Sequence, residues 1–568
     1  MTSAPAGAAE GDARLHAFCT QVVPLLAQHA ETASLADRLR ELDLPGQLAR
    51  SDFFVAVVGL MKAGKSTLLN ALVEQALAPV GVDITTATVN VFMHGETGPG
   101  SDAGCLIHWR DPARAPEART LREFDSLLGD SREAEAVDHV VFRSAAGFLR
   151  GVTLLDTPGA ESSSAIHEAA LQRFVARDGS ARADAVVLAL PTEVGRAEQS
   201  LLLAFAAQTR LPGQSPYNTV AVLQKWESLE VESPEAEART LAKTFRRSLD
   251  GQVSEVIPVS GLLWTLATRL PDEAFDALVR FARDTPPAVA HSLLRTEERF
   301  RSARADGALD PQERAALLDA ARVHLLGPSA IRAAGTFEML RYAIGLASRR
   351  KIGSGTLLRA ALRAVSGIDE LKAVLKQRFF ARTALIRAGS VLRKGIECSD
   401  IAIQTLRQSL RVLQQAIADG DAVLQQLISP ASAEQLSPAT VAFARSALPL
   451  LKSEEARIRR TLRHLDDLTA GADEELQWLA RDFECRDLLL SGTHLIPADL
   501  IDAADALCGQ RGMSTASRLG MDAQDDRRSM GERAKTLRQA LAAVELPEAA
   551  ARHLADRLDR LLDALNQT

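Results

Sequence analysis

Aromatic residues make up only 4% of this 568-residue chain, with two tyrosines and four tryptophans. Leu, Ala and Arg abound instead, which favours helix over sheet for most of its length. Cysteine is scarce too. Cys19, Cys105, Cys398, Cys485 and Cys508 are odd in number and scattered, which excludes a disulfide framework and a cysteine-based metal centre. They read as reduced thiols of a cytosolic protein. The eleven histidines show no metal-ligand spacing. Positive charge is not in excess, since 66 Lys and Arg face 73 Asp and Glu for a net charge of −7. No whole-chain attraction to nucleic acid or anionic lipid follows. No apolar run approaches the roughly 20 residues that span a bilayer. Residues 1–11 lack the basic-then-apolar pattern of a secretory signal.

Hydrophobic residues reach 46% and charged residues 24%, a globular composition. The chain is too long for one core, so two or more domains are expected.

Against that background one stretch stands out: Gly59-Leu60-Met61-Lys62-Ala63-Gly64-Lys65-Ser66-Thr67. It follows the apolar run Phe53 to Val58 and precedes Leu68-Leu69-Asn70-Ala71-Leu72. Strand, glycine-bounded loop and helix are the context in which G-x-x-x-x-G-K-[ST] cradles phosphate. The backbone N–H groups of such a loop curl round the anion, and the new helix turns its positive end toward it. Residues Gly59 and Met61 to Thr67 are thus expected to line a nucleotide's phosphates. Lys65 reaches the β- and γ-phosphates, and the Ser66 hydroxyl binds Mg²⁺.

Three further stretches fit the same site. In the loop Pro79 to Thr88, Thr85 or Thr86 is placed to close over the γ-phosphate and give its hydroxyl to Mg²⁺, with Thr86 favoured. Val152 to Leu155 then runs into Asp156-Thr157-Pro158-Gly159, about 90 residues after the phosphate loop. Asp156 would hold Mg²⁺ through water, and the Gly159 N–H would sense the γ-phosphate. Finally, the apolar run Thr219 to Leu223 leads into Gln224-Lys225-Trp226-Glu227, where guanine-specific proteins usually carry [NT]-K-x-D. Lys225 is present, but Gln and Glu replace the other two positions, so the choice of base stays open. Val256 to Gly261 has the form of a last base-binding loop, with Ser260 at its end.

The rest reads as helix. Residues 1–50 hold short helical pieces with Leu35, Leu39 and Leu42 on one face, expected to pack with the C-terminal bundle. A nucleotide domain spans 51–349, with a helical insertion at about 263–330. Residues 350–568 show no strand signal and form a long helical stalk, with breaks near Pro430 and Pro497. The fold class is therefore an α/β P-loop domain, a mostly parallel sheet with helices on both faces, plus an all-α stalk or bundle. Lys372 to Lys394 is basic and amphipathic, either a surface for anionic lipid or a stalk helix with a solvated face. Thr493 to Met521 is a candidate tip.

The phosphate loop, the following Leu-Leu-Asn-Ala-Leu, the Pro…Thr-Thr-Ala loop and Asp-Thr-Pro-Gly together resemble the bacterial dynamin-like proteins over residues 53–261. The resemblance implies a large GTPase that uses GTP, GDP and Mg²⁺ with low affinity. It implies heads that associate across the nucleotide, with a second dynamin-like chain as a further partner, and that drive a helical stalk against membrane. No nucleic acid partner follows, and the implied location is the cytoplasm, with peripheral contact at the inner face of the cell membrane. Eukaryotic dynamins carry Gln at the position of Met61, so water must be positioned differently here. Lys62 stands where the related guanylate-binding proteins carry an arginine finger, and is either a point charge on the reacting phosphate or a solvated loop residue. Two rivals remain: a soluble nucleotide switch whose helical arm binds protein partners, and an ATP-using site.

Overall fold

The computed structural model describes residues 10–43, 46, 52–59, 63–75, 77, 89–95, 104–128, 133, 136–156, 183–192, 217–229, 231–249, 252–302, 307–326, 335–426, 437–491 and 496–566, except 112 and 523. Two compact units emerge. A head runs from Ser51 to Ala381, and a helical unit joins the N-terminal helices to everything from Arg382 onward.

The apolar runs of the head become the strands β1 (Phe53–Gly59), β2 (Val89–His94), β3 (Cys105–Trp109), β4 (Glu117–Arg119), β5 (Val137–Ser144), β6 (Val152–Asp156), β7 (Ala185–Pro191), β8 (Thr219–Gln224) and β9 (Val256–Pro258). They form one nine-stranded sheet in the order β4-β3-β5-β2-β6-β1-β7-β8-β9. The block β6-β1-β7-β8-β9 is wholly parallel. Its central strands are buried nearly end to end, as a sheet covered on both faces requires. β2 joins β6 antiparallel, and β3 and β4 complete an antiparallel edge. β4, a three-residue strand of Glu117, Ala118 and Arg119, carries no apolar run from which it could have been read.

Beyond β9 the chain is helical but not peripheral. The helices Asp272–Asp284, Pro311–Leu326, Thr336–Arg349 and Gly355–Val365 share one apolar core that includes Phe275, Phe281, Leu340, Leu358 and Leu362. Because Leu358 and Leu362 belong to that core, the head extends past residue 349 to Ala381.

In the helical unit, Thr383–Gln426 and Pro438–Ser491 run antiparallel, as the ion pairs Arg407–Asp466 (3.0 Å) and Lys452–Asp421 (2.9 Å) register. At 1.5 Å per residue, 44 and 54 residues give helices of about 66 and 81 Å. The helix Glu10–Leu26 lies along them, with Phe18 against Gly395, where an added Cβ would sit 2.2 Å from the ring. His29 reaches Thr461 at 2.9 Å. The C-terminal helices converge on Asp482, which is fully buried and meets Arg518 at 3.1 Å and His553 at 2.8 Å, with Arg557 beside them. The leucine stripe Leu554, Leu558 and Leu561 is core here.

Beyond the breaks expected near Pro430 and Pro497, the helical stretch after residue 350 also breaks at Gly367 and at the π-helical turn Leu375–Phe379. Lys372 to Lys394 does not form one solvated basic face: Phe379, Leu385 and Ile386 are buried and Arg382, Arg387 and Lys394 are only 2–3% exposed, although Lys376 is exposed. The stretch Thr493 to Met521, where described, is no tip either. Gly509, Gly512 and Gly520 adopt positive φ and turn short helices back so that Leu507, Ala516 and Leu519 enter the core.

Candidate functional site

β1 ends at Gly59, whose Cα lies so near β7 that an added Cβ would stand 2.6 Å from the Ala189 carbonyl. The turn that follows re-enters helix at Lys65–Leu72, capped by Gly64 at φ 88. A β-carbon there costs about 1–2 kcal/mol on backbone grounds alone. Ala63 is buried, while Ser66 and Thr67 are half-buried at the helix start. The first N–H groups of that helix have no partner within it, the arrangement that receives anions.

Lys65 curls back so that its Nζ donates to the Gly59 carbonyl at 3.1 Å. Burial pulls its ammonium below the ordinary lysine range, and the nearby Asp156 carboxylate opposes that pull. Asp156 ends β6, beside β1, in register with Val57. Burial pushes its carboxyl up to about 6, against the opposing influence of Lys65 and of Asn90, whose Nδ2 donates to Asp156 Oδ2 at 3.3 Å. A carboxylate so short of hydration is poised to gain from a cation. Asn90 faces Asp156 directly across the β2–β6 pair. As a polar residue in the otherwise apolar run Val89 to Met93, it was the available signal for this partner.

The residues expected at the base lie at the ends of β8 and β9. Lys225 takes the left-handed conformation, φ 61, and opens the 3-10 turn Trp226–Ser228. Ser228 Oγ closes the turn by donating to the Lys225 carbonyl at 2.6 Å. Glu227 is 7% exposed and Trp226 is buried edge-on against Tyr342. Gln224, 3% exposed, lies against the phosphate-loop glycine Gly64. Ser260 is buried too, but its hydroxyl accepts from the Leu263 N–H as a helix cap. Gly261 packs so closely that an added Cβ would meet the Thr67 carbonyl at 2.7 Å. The Gly59 and Gly64 ends of the turn, Lys65 and Asp156 are thus brought together, with Gln224 at the end of β8 packed against Gly64 and Gly261 after β9 packed against Thr67. Met61, Lys62, Thr86 and Gly159 lie outside the described residues.

Residues 55–226, from β1 through the turn after β8, match the model of the dynamin family. The chain carries a dynamin-family domain. Among curated relatives of this chain is the isoniazid-induced protein IniC of Mycobacterium tuberculosis. It is 33% identical over 252 residues, which cover 43% of this chain and 49% of IniC. The chain thus spans about half the length of the IniC proteins it matches. A bacterial dynamin-like protein of Nostoc punctiforme is 29% identical over 137 residues, 22% of this chain and 19% of that protein. Among solved structures, a chain of an oligomerised bacterial dynamin pair, described as providing a mechanism for long-range sensing and tethering of membranes, matches over 84% of this chain and 78% of its own. Its identity is 13% and its TM-score 0.28.

Proposed function

We propose that the chain is a dynamin-like GTPase that binds GTP with Mg²⁺, hydrolyses it to GDP and phosphate, and couples head association to its helical stalk at membranes. The observation that carries the reading is the buried Asp156 carboxylate at the end of β6 beside the half-buried Lys65, which opens the helix after β1 and folds back onto the Gly59 carbonyl. Ser66 and Asp156, with Thr86, would hold Mg²⁺, and the ion would neutralise charge on the β- and γ-phosphates. The donor set suits it, since a hydroxyl and a carboxylate are hard oxygen ligands. Lys65 would bind the same phosphates, and Gly59 and the residues from Met61 to Thr67 would wrap them. Gly159 would sense the γ-phosphate, while Lys225, Glu227 and the Ser260 loop would hold the base. The heads would self-associate, with a second dynamin-like chain as partner, in the cytoplasm and at the inner membrane face.

A second reading has one observation in its favour. Arg382, Arg387 and Lys394 are buried, which withdraws part of the basic stretch Lys372 to Lys394 from any lipid surface. A nucleotide switch whose helical arm binds protein would not need that surface. Co-sedimentation with anionic liposomes, with and without a non-hydrolysable GTP analogue and alongside phosphate release from GTP, separates the two. GTP-dependent pelleting supports membrane action, and turnover without pelleting favours the switch. Absence of GTP binding overturns both.

A further inference from the structure

Within the head, one short segment touches both walls of the cleft. The Ser366 carbonyl accepts from the Ser260 N–H at 2.8 Å, gripping the loop after β9 by its backbone. Gly367, at φ 70, then lies directly on Pro258. An added Cβ would stand 2.1 Å from the Pro258 carbonyl, so only glycine permits this approach. Next comes the helix Ile368–Val374, anchored by the fully buried Ile368 and Leu371. From its exposed side Lys372 reaches Glu74 at 2.7 Å. Glu74 sits just past the phosphate-loop helix, in a left-handed conformation at φ 61. The same ammonium lies 5.0 Å from the Trp264 ring centroid and 5.7 Å from that of Phe148. Trp264 belongs to the helix that Ser260 caps.

We propose that Ser366 to Lys372 is a brace across the nucleotide cleft, with Gly367 and Lys372 as positioning residues that never touch the nucleotide. One end holds the base loop and the other holds the far end of the phosphate-loop helix. The brace therefore fixes the separation of two walls that a whole nucleotide must bridge at once. A ligand spanning both walls gains from their being pre-set, because it need not restrict them on binding. A ligand on one wall gains nothing. The inference rests on the nucleotide-binding reading, and its test distinguishes the two.

The test compares the full-length protein with K372M, K372E, the double variant K372E/E74K and G367A, measuring affinities for GTP, GDP and inorganic triphosphate in Mg²⁺ by calorimetry. Triphosphate occupies the phosphate loop alone. K372M should weaken GTP and GDP by about three- to tenfold, the scale of a partly buried ion pair with cation–π support. Triphosphate binding should stay within twofold. E74K should recover part of the K372E loss, which a merely structural lysine would not allow. G367A should act in the same direction and more strongly, and K372M preserves the test where G367A does not fold. If the unsubstituted protein fails to bind GTP, the nucleotide reading falls. If it binds GTP but K372M weakens triphosphate equally, or changes nothing, the brace falls.

Discussion

The side-chain oxygen of Gln224 lies 2.6 Å from the point where a β-carbon on Gly64 would stand. The Gly64 turn and the end of β8 are therefore packed against each other without room for a methyl group. Gly64→Ala should weaken nucleotide binding by about five- to thirtyfold, the scale of the left-handed backbone strain. Displacement of Gln224 adds to that loss. Titration with a fluorescent GTP analogue measures it, and unchanged affinity would mean that the turn is not the phosphate cradle.

Lys65→Ala should abolish nucleotide binding, while the circular dichroism of the helical unit stays as it was. Ser66→Ala should instead reduce Mg²⁺-dependent turnover by orders of magnitude. Phosphate release at saturating GTP is the measurement, and normal turnover in both variants would move the site elsewhere.

Glu227 replaces the shorter aspartate that guanine-specific proteins usually present, and it is almost wholly buried. GTP should bind more tightly than ATP, by less than an aspartate would achieve, and Glu227→Ala should erase the difference. Equal binding of both nucleotides by the unsubstituted chain would end the guanine reading.

Lys62→Ala addresses charge neutralisation during hydrolysis. If heads associate and bring Lys62 onto the phosphates, turnover per molecule rises with protein concentration, because a cation there is worth about 10³–10⁵ in rate at its best. The substitution should remove that rise while GTP affinity stays within a few-fold. A variant that keeps the concentration dependence would exclude Lys62 and turn attention to the Thr86 backbone.

Asp482 gives a stability prediction. Burial alone would raise its carboxyl, but Arg557, Arg518 and His553 more than offset this and hold it well below the ordinary value of 3.8. A lowered native value means that the carboxylate's contribution is complete above about pH 4 and is lost as pH falls further. Asp482→Asn leaves two guanidinium groups without their carboxylate, which typically costs about 3–5 kcal/mol. The melting midpoint of the helical unit should drop by roughly 6–20 °C at neutral pH. Calorimetry from pH 3 to 7 should also show a shallower acid slope for the variant.

The legible parts of the molecule were those where chemistry is local. The strand, glycine turn and helix around Gly64 and Lys65 and the strand end at Asp156 needed only an apolar run, a glycine and a polar residue within a few positions, so these elements could be read directly. Runs such as Val55 to Val58 and Ala185 to Leu190 announced parallel strands because both faces are covered. What escaped was set by distant packing. Lys372 has the same amphipathic neighbours whether it faces lipid or Glu74, and nothing nearby in sequence tells a guanidinium at position 387 that it will be buried. Ser260 was placed at the base, yet its hydroxyl serves the helix that begins beside it.

The contact between His29 and Thr461 joins residues 432 positions apart. At synthesis rates of about 5–20 residues per second, the helix Glu10–Leu26 waits roughly 20–90 s before its partner emerges from the ribosome. The head's strands and covering helices are all made inside that interval. During translation the first helix is thus an exposed apolar segment beside a domain that already has its sequence complete, so mistakes in its docking belong to the time of birth rather than to the finished fold.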